Sequence, residues 1–328
     1  MTLLITGGAG YIGSHMAWLC HDQKIPYVVL DDLSTGFRDN LPQDVIFVEG
    51  DSADEDLLAS VFNRYAIASI MHFAAKIVVP ESVAHPLDYY RHNTVKSCKL
   101  IDCAIKHGIA KFIFSSTAAV YGDANESPVK EDALKKTASP YGHSKLMVEQ
   151  MLADAHTAHG LNYIVLRYFN VAGADPMGRT GQTNPQATHL IKLANFTALG
   201  QRKEMLIYGD DYATPDGTGI RDYIHVSDLV SAHACALDHL MRGGASLTAN
   251  CGYGKGFSVR EVIEAVKQVS GVDFPVRVTE RRAGDPASLV ADATLARTVL
   301  GWVPRYNDLH TIVRHALDWE KKISPPKP

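Results

Sequence analysis

Short apolar runs rich in β-branched residues alternate with longer amphipathic stretches over the first half of the chain. The runs are "TLLIT", "YVVLD", "VIFVE", "SIMHFAA", "KFIFSS" and "YIVLRYF". Apolar at nearly every position, they predict strands buried on both faces, and their alternation with helices predicts βαβ units around a parallel sheet. One helix is expected at 94–107, with Val95, Cys98, Ile101 and Ile105 on one stripe and Lys106, His107 and Gly108 at its C-terminal end. Another follows "SPYGHSK". There Ser139 is a good N-cap, Pro140 suits the first helical position, and Leu146, Met147, Met151, Leu152 and Ala155 supply an apolar face. The fold class expected is α/β, a doubly wound parallel sheet over residues 1–169.

After "RYFNVAG" the regularity fades. "ADPMGRTGQTNPQ" and "GDDYATPDGTGIRDY" are rich in Gly, Pro and Asp and read as long loops. Loops of that length inside a compact domain are usually functional. "FSVREVIEAVKQVSG" predicts a helix and "PVRVTE" a strand. A smaller, loop-rich substrate domain is therefore expected over 170–328, with a segment near 221–241 returning to the first domain. The terminal "ISPPKP" reads as a frayed tail.

Composition narrows the classes. The chain has 328 residues, 46% hydrophobic and 21% charged, with a net charge of −4, so no basic field invites nucleic acid or an anionic membrane. No stretch approaches the roughly 18–20 apolar residues of a membrane span, and "MTLLITGGAG" lacks a charged signal-peptide head. The five cysteines show no metal-ligand spacing, and their odd number fits free thiols in a reducing cytosol. A cytoplasmic protein is expected.

The chemistry begins at "TLLITGGAGYIG", where a strand runs into Gly7, Gly10 and Gly13 and then into a helix. Glycines let the backbone turn tightly against a pyrophosphate, whose charge the helix N-terminus holds. Asp31 closes the next strand, eighteen residues past Gly13. A carboxylate there accepts hydrogen bonds from the adenine-ribose hydroxyls and repels a 2′-phosphate, which favours NAD over NADP. The Rossmann-type pattern changes the reading of Tyr141 and Lys145. Positions i and i+4 share one helix face, and alone they would be an ordinary exposed polar pair. Beside a nicotinamide, a nearby ammonium and a helix N-terminus favour phenolate, so Tyr141 becomes a general base at a sugar hydroxyl. Lys145 then holds the nicotinamide ribose. Thr117 follows another strand, where its hydroxyl can share a hydrogen bond with the reacting oxygen; alone it would be a satisfied strand-end hydroxyl.

Nearly the whole length carries a resemblance, through "TGGAGYIGSH", "VEGD", "MHFAA", "FIFSSTAAVYGD", "SPYGHSKLMVEQ", "LRYFNVAGA", "YGDDYATPDGTGIRDYIHVSDL" and "RRAGDPASLVAD". The chain resembles the UDP-glucose (UDP-galactose) 4-epimerase family of extended short-chain dehydrogenase/reductases. The resemblance implies catalytic roles for Thr117, Tyr141 and Lys145, and NAD contacts from Gly7, Gly10, Tyr11, Ile12, Gly13, Asp31, Asp32, Asp51, Phe73, Ala74, Asn93 and Phe169. It also implies that Asn170 and His189 contact the nucleotide sugar and that Leu206, Ile207 and Tyr208 lie near the uracil. Arg221 and Arg282 would bind the diphosphate, and Asp285 the uridine ribose. Guanidinium forks are natural partners of a diphosphate, although each arginine alone is more often a surface charge. Leu289 falls where a tyrosine goes with rejection of N-acetylated sugars, so a leucine implies their acceptance. Thr117 stands where the family often has serine, and Ile77 where some members have a lysine touching NAD.

The activity implied is reversible C4 epimerisation of a UDP-hexose through a 4-keto sugar, in a homodimer whose helices near 94–107 and 144–158 pair. An epimerase of a uronate or pentose is an alternative. A 4,6-dehydratase is another, but it carries an Asp-Glu pair where Ala118 and Ala119 stand, and methyl groups transfer no protons. A non-catalytic NAD-binding regulator would need neither Tyr141, Lys145 and Thr117 together nor the arginines.

Overall fold

The computed structural model describes residues 2–124, 126–282 and 284–324. Of the expected tail, residues 325–328 lie outside the described residues. The chain opens with β1 (Thr2–Thr6), α1 (Tyr11–Gln23), β2 (Tyr27–Asp31), β3 (Ile46–Glu49), α2 (Glu55–Tyr65) and β4 (Ile67–His72). Two short helices, α3 (Val79–Ala84) and α4 (Pro86–Tyr89), lead through a π-helical turn at Tyr90–Val95 into α5 (Lys96–Lys106). β5 (Lys111–Thr117), α6 (Pro140–His159) and β6 (Asn162–Tyr168) complete the first half. Every strand pair in the large sheet is parallel, as the unbroken apolar runs predicted. Leu3, Leu4, Ile5, Val28, Val29, Leu30, Ile70 and Phe112 to Phe114 are essentially without exposure, because helices cover both faces.

The second half contributes β7 (Asn170–Ala172), α7 (Leu190–Ala198), β8 (Met205–Tyr208), β9 (Ile220–His225), α8 (Val226–Met241) and β10 (Leu247–Cys251). β11 (Gly256–Ser258), α9 (Val259–Ser270), β12 (Val276–Thr279), β13 (Ser288–Leu289), α10 (Thr294–Thr298) and α11 (Leu309–Ile323) follow. β10 joins the large sheet beside β6, giving the order β10-β6-β5-β4-β1-β2-β3. The order reverses between β1 and β4, and ligands of such sheets bind at that crevice, outside the carboxyl ends of the strands. β9 pairs with β7, β11 and β13 in a small mixed sheet, and β8 pairs with β12 in another. Helix α8 packs against α1, β5 and β6, so this stretch of the second half covers a face of the large sheet.

One pattern differs from expectation. The stripe predicted at 94–107 places Val95 and Cys98 inside, yet both are exposed, and the buried face is Ser97, Leu100, Ile101, Cys103 and Ala104. Packing against α2 and α6 selects a face turned by about one residue from the apolar stripe, and it takes in Ser97 while leaving Val95 and Cys98 outside. The helix after "SPYGHSK" begins as read, with Ser139 Oγ accepting the Gly142 N–H, but of its expected apolar face Leu152 and Ala155 are buried, Leu146 and Met151 partly so, and Met147 is 45% exposed.

Candidate active site

The glycine loop is pressed into the switch-point crevice. Gly7 has a left-handed φ of +70°, and a Cβ there would lie 2.4 Å from the Ala74 nitrogen at the end of β4. A Cβ on Gly13 would lie 2.2 Å from the Gly7 carbonyl oxygen, so the loop and α1 touch backbone to backbone. Gly10 is the N-cap of α1, offers no side-chain cap, and no acid stands in the first turn, where Tyr11 and Ile12 begin the helix. Those free helix-end amides suit a pyrophosphate, so the residues present fit NAD. Tyr11 Oη donates to the Gly173 carbonyl at 2.7 Å, fastening the loop to the start of the second half.

Around the loop the predicted carboxylates have partners. Asp31 is buried; its Oδ2 accepts the Ala9 N–H at 2.9 Å and its Oδ1 the Leu33 N–H at 2.8 Å. Burial raises its pKa, and those hydrogen bonds partly offset the rise. Asp31 thus shapes the loop itself, a role the sequence reading did not include. Asp32 accepts from the Ser34 N–H and hydroxyl. Asp51 pairs with Lys96 at 2.7 Å. The Phe73 N–H donates to the Thr6 carbonyl, and its ring meets His233. The Asn93 side chain bonds both the N–H and C=O of Lys76 and donates to Ser144 Oγ, so it joins the segment after β4 to α6.

The proton-handling group is dry. Tyr141, Lys145 and Thr117 are all buried, at 6%, 2% and 8% exposure. Thr117 Oγ1 accepts the Ala119 N–H at 3.1 Å, which leaves its hydrogen free to donate to the Tyr141 oxygen. Lys145 Nζ donates to the Ser115 carbonyl at 2.9 Å and lies 4.8 Å from the centre of the Phe114 ring. Burial pushes the Tyr141 phenol up to about 12, against a lowering by Thr117, and pulls Lys145 down to about 7, against a raising by Glu149. The expected lowering of the tyrosine is therefore not a property of this helix turn. Desolvation by the surrounding protein outweighs the helix N-terminus and the ammonium, so the lowering has to come from the positive charge of a bound nicotinamide.

Across the crevice, Arg221 Nη2 donates to Asp285 Oδ1 at 3.2 Å, and the Arg282 guanidinium stacks over Tyr208 at 3.8 Å. Leu206 and Tyr208 are half-buried in β8, and Ile207 is in the core. Asn170 is exposed on β7, one residue past the buried Phe169. Leu289 packs with Ala118, Tyr121, Phe169 and Ala291, beside Thr117. His189 lines a small cavity with Tyr11, Gly173, Lys192, Trp319 and Glu320, and its Nδ1 has no partner. Burial and Lys192 hold it neutral. The sequence reading missed the supports of this group: Ser115, Ser144, Glu149 and Arg167. A lone arginine inside the apolar run "YIVLRYF" was the available signal, since a charge there demands a buried partner.

Comparison with known proteins agrees with this geometry. Residues 3–252 match the NAD dependent epimerase/dehydratase family. A UDP-glucose 4-epimerase of Azospirillum brasilense is 56% identical over 98% of this chain and 92% of its own length. The crystal structure of UDP-glucose 4-epimerase from Brucella ovis in complex with NAD superposes with a TM-score of 0.94, at 44% identity over 97% of both chains. The UDP-Glc/GlcNAc 4-epimerase of Campylobacter jejuni gives 0.86, at 47% identity over 98% of this chain and 99% of that one. With so close a likeness along the whole length, the chain belongs to the NAD dependent epimerase/dehydratase family and, within it, to the UDP-glucose 4-epimerases.

Proposed function

We propose that Tyr141, Thr117 and Lys145 perform a reversible inversion at C4 of a UDP-hexose. The observation that carries this is the burial of a phenol, a hydroxyl and an ammonium at the carboxyl end of β5, facing the glycine-loop crevice. When bound there by Gly7, Gly10, Gly13 and Asp31, NAD supplies a reversible acceptor for the hydrogen on C4. Tyr141, acting as the phenolate, takes the proton of the 4-hydroxyl and returns it in the second half-reaction. Thr117 donates to the reacting oxygen, and the Lys145 ammonium stabilises negative charge on the phenol. Between the two transfers the 4-keto sugar turns about its link to the diphosphate and presents its other face. That demands a firm grip on UDP and a loose one on the ring, so binding energy belongs away from the reacting carbon. Arg221, on β9 of the small sheet, and Arg282 and Asp285, between β12 and β13, supply it from outside the large sheet. Incubation with UDP-galactose, reading the C4 configuration of the product, tests this; an unchanged sugar would refute it.

The wall at Leu289 supports acceptance of N-acetylated sugars. A turning keto sugar sweeps its C2 substituent through the cavity, and leucine is smaller than tyrosine by most of a phenol ring. UDP-N-acetylglucosamine should be epimerised beside UDP-galactose, and Leu289→Tyr should lose only the former. If the wild type ignores the N-acetyl sugar, the wall is elsewhere. A dehydratase is disfavoured, because the positions after Thr117 are the methyl side chains of Ala118 and Ala119. A homodimer is supported by Val83, Leu87, Val95 and Met147, which are exposed on or beside α3 to α6. Sedimentation at micromolar concentration decides this. Among the described residues no helix is long and apolar enough to cross a membrane, and the free thiols fit a reducing cytosol.

A further inference from the structure

Arg167 lies on β6, an interior strand, with its side chain 5% exposed, and its partner Glu149 is 7% exposed. The pairing is a fork: Nε donates to both Glu149 oxygens at 3.0 and 3.2 Å, and Nη2 donates to Oε2 at 2.6 Å. Arg167 Nη1 donates to Tyr121 Oη and to the Glu131 carbonyl, each at 2.9 Å. Ser116 Oγ donates to Glu149 Oε1 at 2.5 Å. A buried pair of this kind seldom adds net stability over apolar residues of the same volume, so its position calls for another explanation.

The position is informative. Tyr141, Lys145 and Glu149 are spaced by four along α6 and therefore form one face. Two of them bond one short stretch of β5, Lys145 the Ser115 carbonyl and Glu149 the Ser116 hydroxyl, and Tyr141 lies near Thr117 at its end. One face of α6 is thus held against one three-residue stretch of β5 by the catalytic side chains and the ion pair together.

We propose that Glu149 is a positioning residue of the active site, which with Arg167 and Ser116 locks α6 on β5 in the register that presents Tyr141 and Lys145, and whose carboxylate is the counter-charge of the Lys145 ammonium. The inference rests on the reading of Tyr141 and Lys145 given above. Without Glu149, burial acts on Lys145 unopposed, and the ammonium that supports the phenol is lost at lower pH. The groups facing this face from other elements do not replace it. His72 on β4 is held neutral by burial and by Lys145. Tyr168 on β6 and Tyr89 on α4 are raised by burial and stay neutral, and Glu81 is engaged with Lys76 and Tyr89. Arg167 is consumed by the fork.

The test uses Glu149→Gln and the double variant Glu149→Gln with Arg167→Met, which removes the stranded guanidinium. Lys145 is titrated by NMR in protein carrying isotope-labelled lysine, its signal assigned from Lys145→Met, and kcat is followed against pH with UDP-galactose. Glu149→Gln should titrate Lys145 about one pH unit lower than wild type, and the double variant lower by less, because a positive charge leaves with the negative one; the alkaline limb of kcat should move the same way. A double variant that folds with Lys145 unmoved, or one that does not fold, makes the pair a structural support only and overturns the proposal. Turnover retained in Tyr141→Phe would instead refute the underlying assignment, a separate result.

Discussion

The two ends of the proposed substrate site are built on opposite plans. At the reacting end, Tyr141, Lys145 and Thr117 sit almost without exposure on a helix and a central strand, and Lys145 and Thr117 are already hydrogen-bonded. At the UDP end, Arg221 on β9, its side chain 14% exposed, meets Asp285, 43% exposed, and Arg282 rests on a tyrosine face in open solvent. A proton transfer gains from groups fixed before the substrate arrives, because reorganisation during the reaction is then small. A charged diphosphate gains from guanidinium groups that reach it from water and release weak partners. Removing a group should therefore damage turnover at one end and affinity at the other.

The sharpest way to break this comparison is Tyr141→Phe. It should lower kcat about a thousandfold or more while UDP and NAD binding stay near wild type, measured by turnover and calorimetry. Substantial residual turnover would place the base elsewhere.

Lys145→Met probes what the dry end costs. Burial lowers the Lys145 pKa from 10.5 to about 7. Between those values the unfolded chain binds more protons than the folded one, so the stability of the wild type rises with pH through that window. Lys145→Met, though inactive, should be more stable by roughly 4 kcal/mol at pH 7 and lose that advantage as pH approaches 10.5. Denaturant melts of both proteins across that range check the sign; a constant difference would mean Lys145 carries no burial penalty.

At the open end, Arg221→Gln should raise KM about tenfold with kcat changed little, the loss of one charge-assisted contact. A kcat effect as large as the KM effect would erase the distinction. The smallest change is expected for Asp31→Asn, a few-fold narrowing of the preference for NAD over NADP. Part of it should come from weaker NAD binding, because an amide NH2 cannot accept the Ala9 or Leu33 N–H that the carboxylate now holds. Equal affinity of the wild type for both cofactors would remove Asp31 as the determinant.

What the sequence made legible follows from what is local. Six strands of the large sheet were readable because burial on both faces leaves continuous apolar runs, and the start of α6 because Ser139 and Pro140 act within one turn. The seventh strand, "LTANC", was missed: at β10 the run is short and carries Thr248 and Asn250, whose burial depends on a partner far away in sequence. Tyr121 and Val129 hold that asparagine by its side chain, a contact no period predicts. In the site, the glycine loop and the Tyr/Lys pair were visible from spacing. The direction of their pKa shifts was not, because desolvation is a property of everything packed around them.

The pairing of β10 with β6 has a consequence for how the chain is made. Leu247–Cys251 pairs with Ile164–Tyr168, so during synthesis β6 presents a bare parallel edge until some eighty further residues have left the ribosome. At roughly 5–20 residues per second, that exposure lasts several seconds. An apolar strand with unpaired backbone groups is a template for wrong partners throughout that interval. The protein's yield in a cell is therefore tied to the speed at which its second half emerges and to the chaperones that shield the edge meanwhile. A chain stopped near residue 170 would keep the dinucleotide crevice but leave that edge open for good.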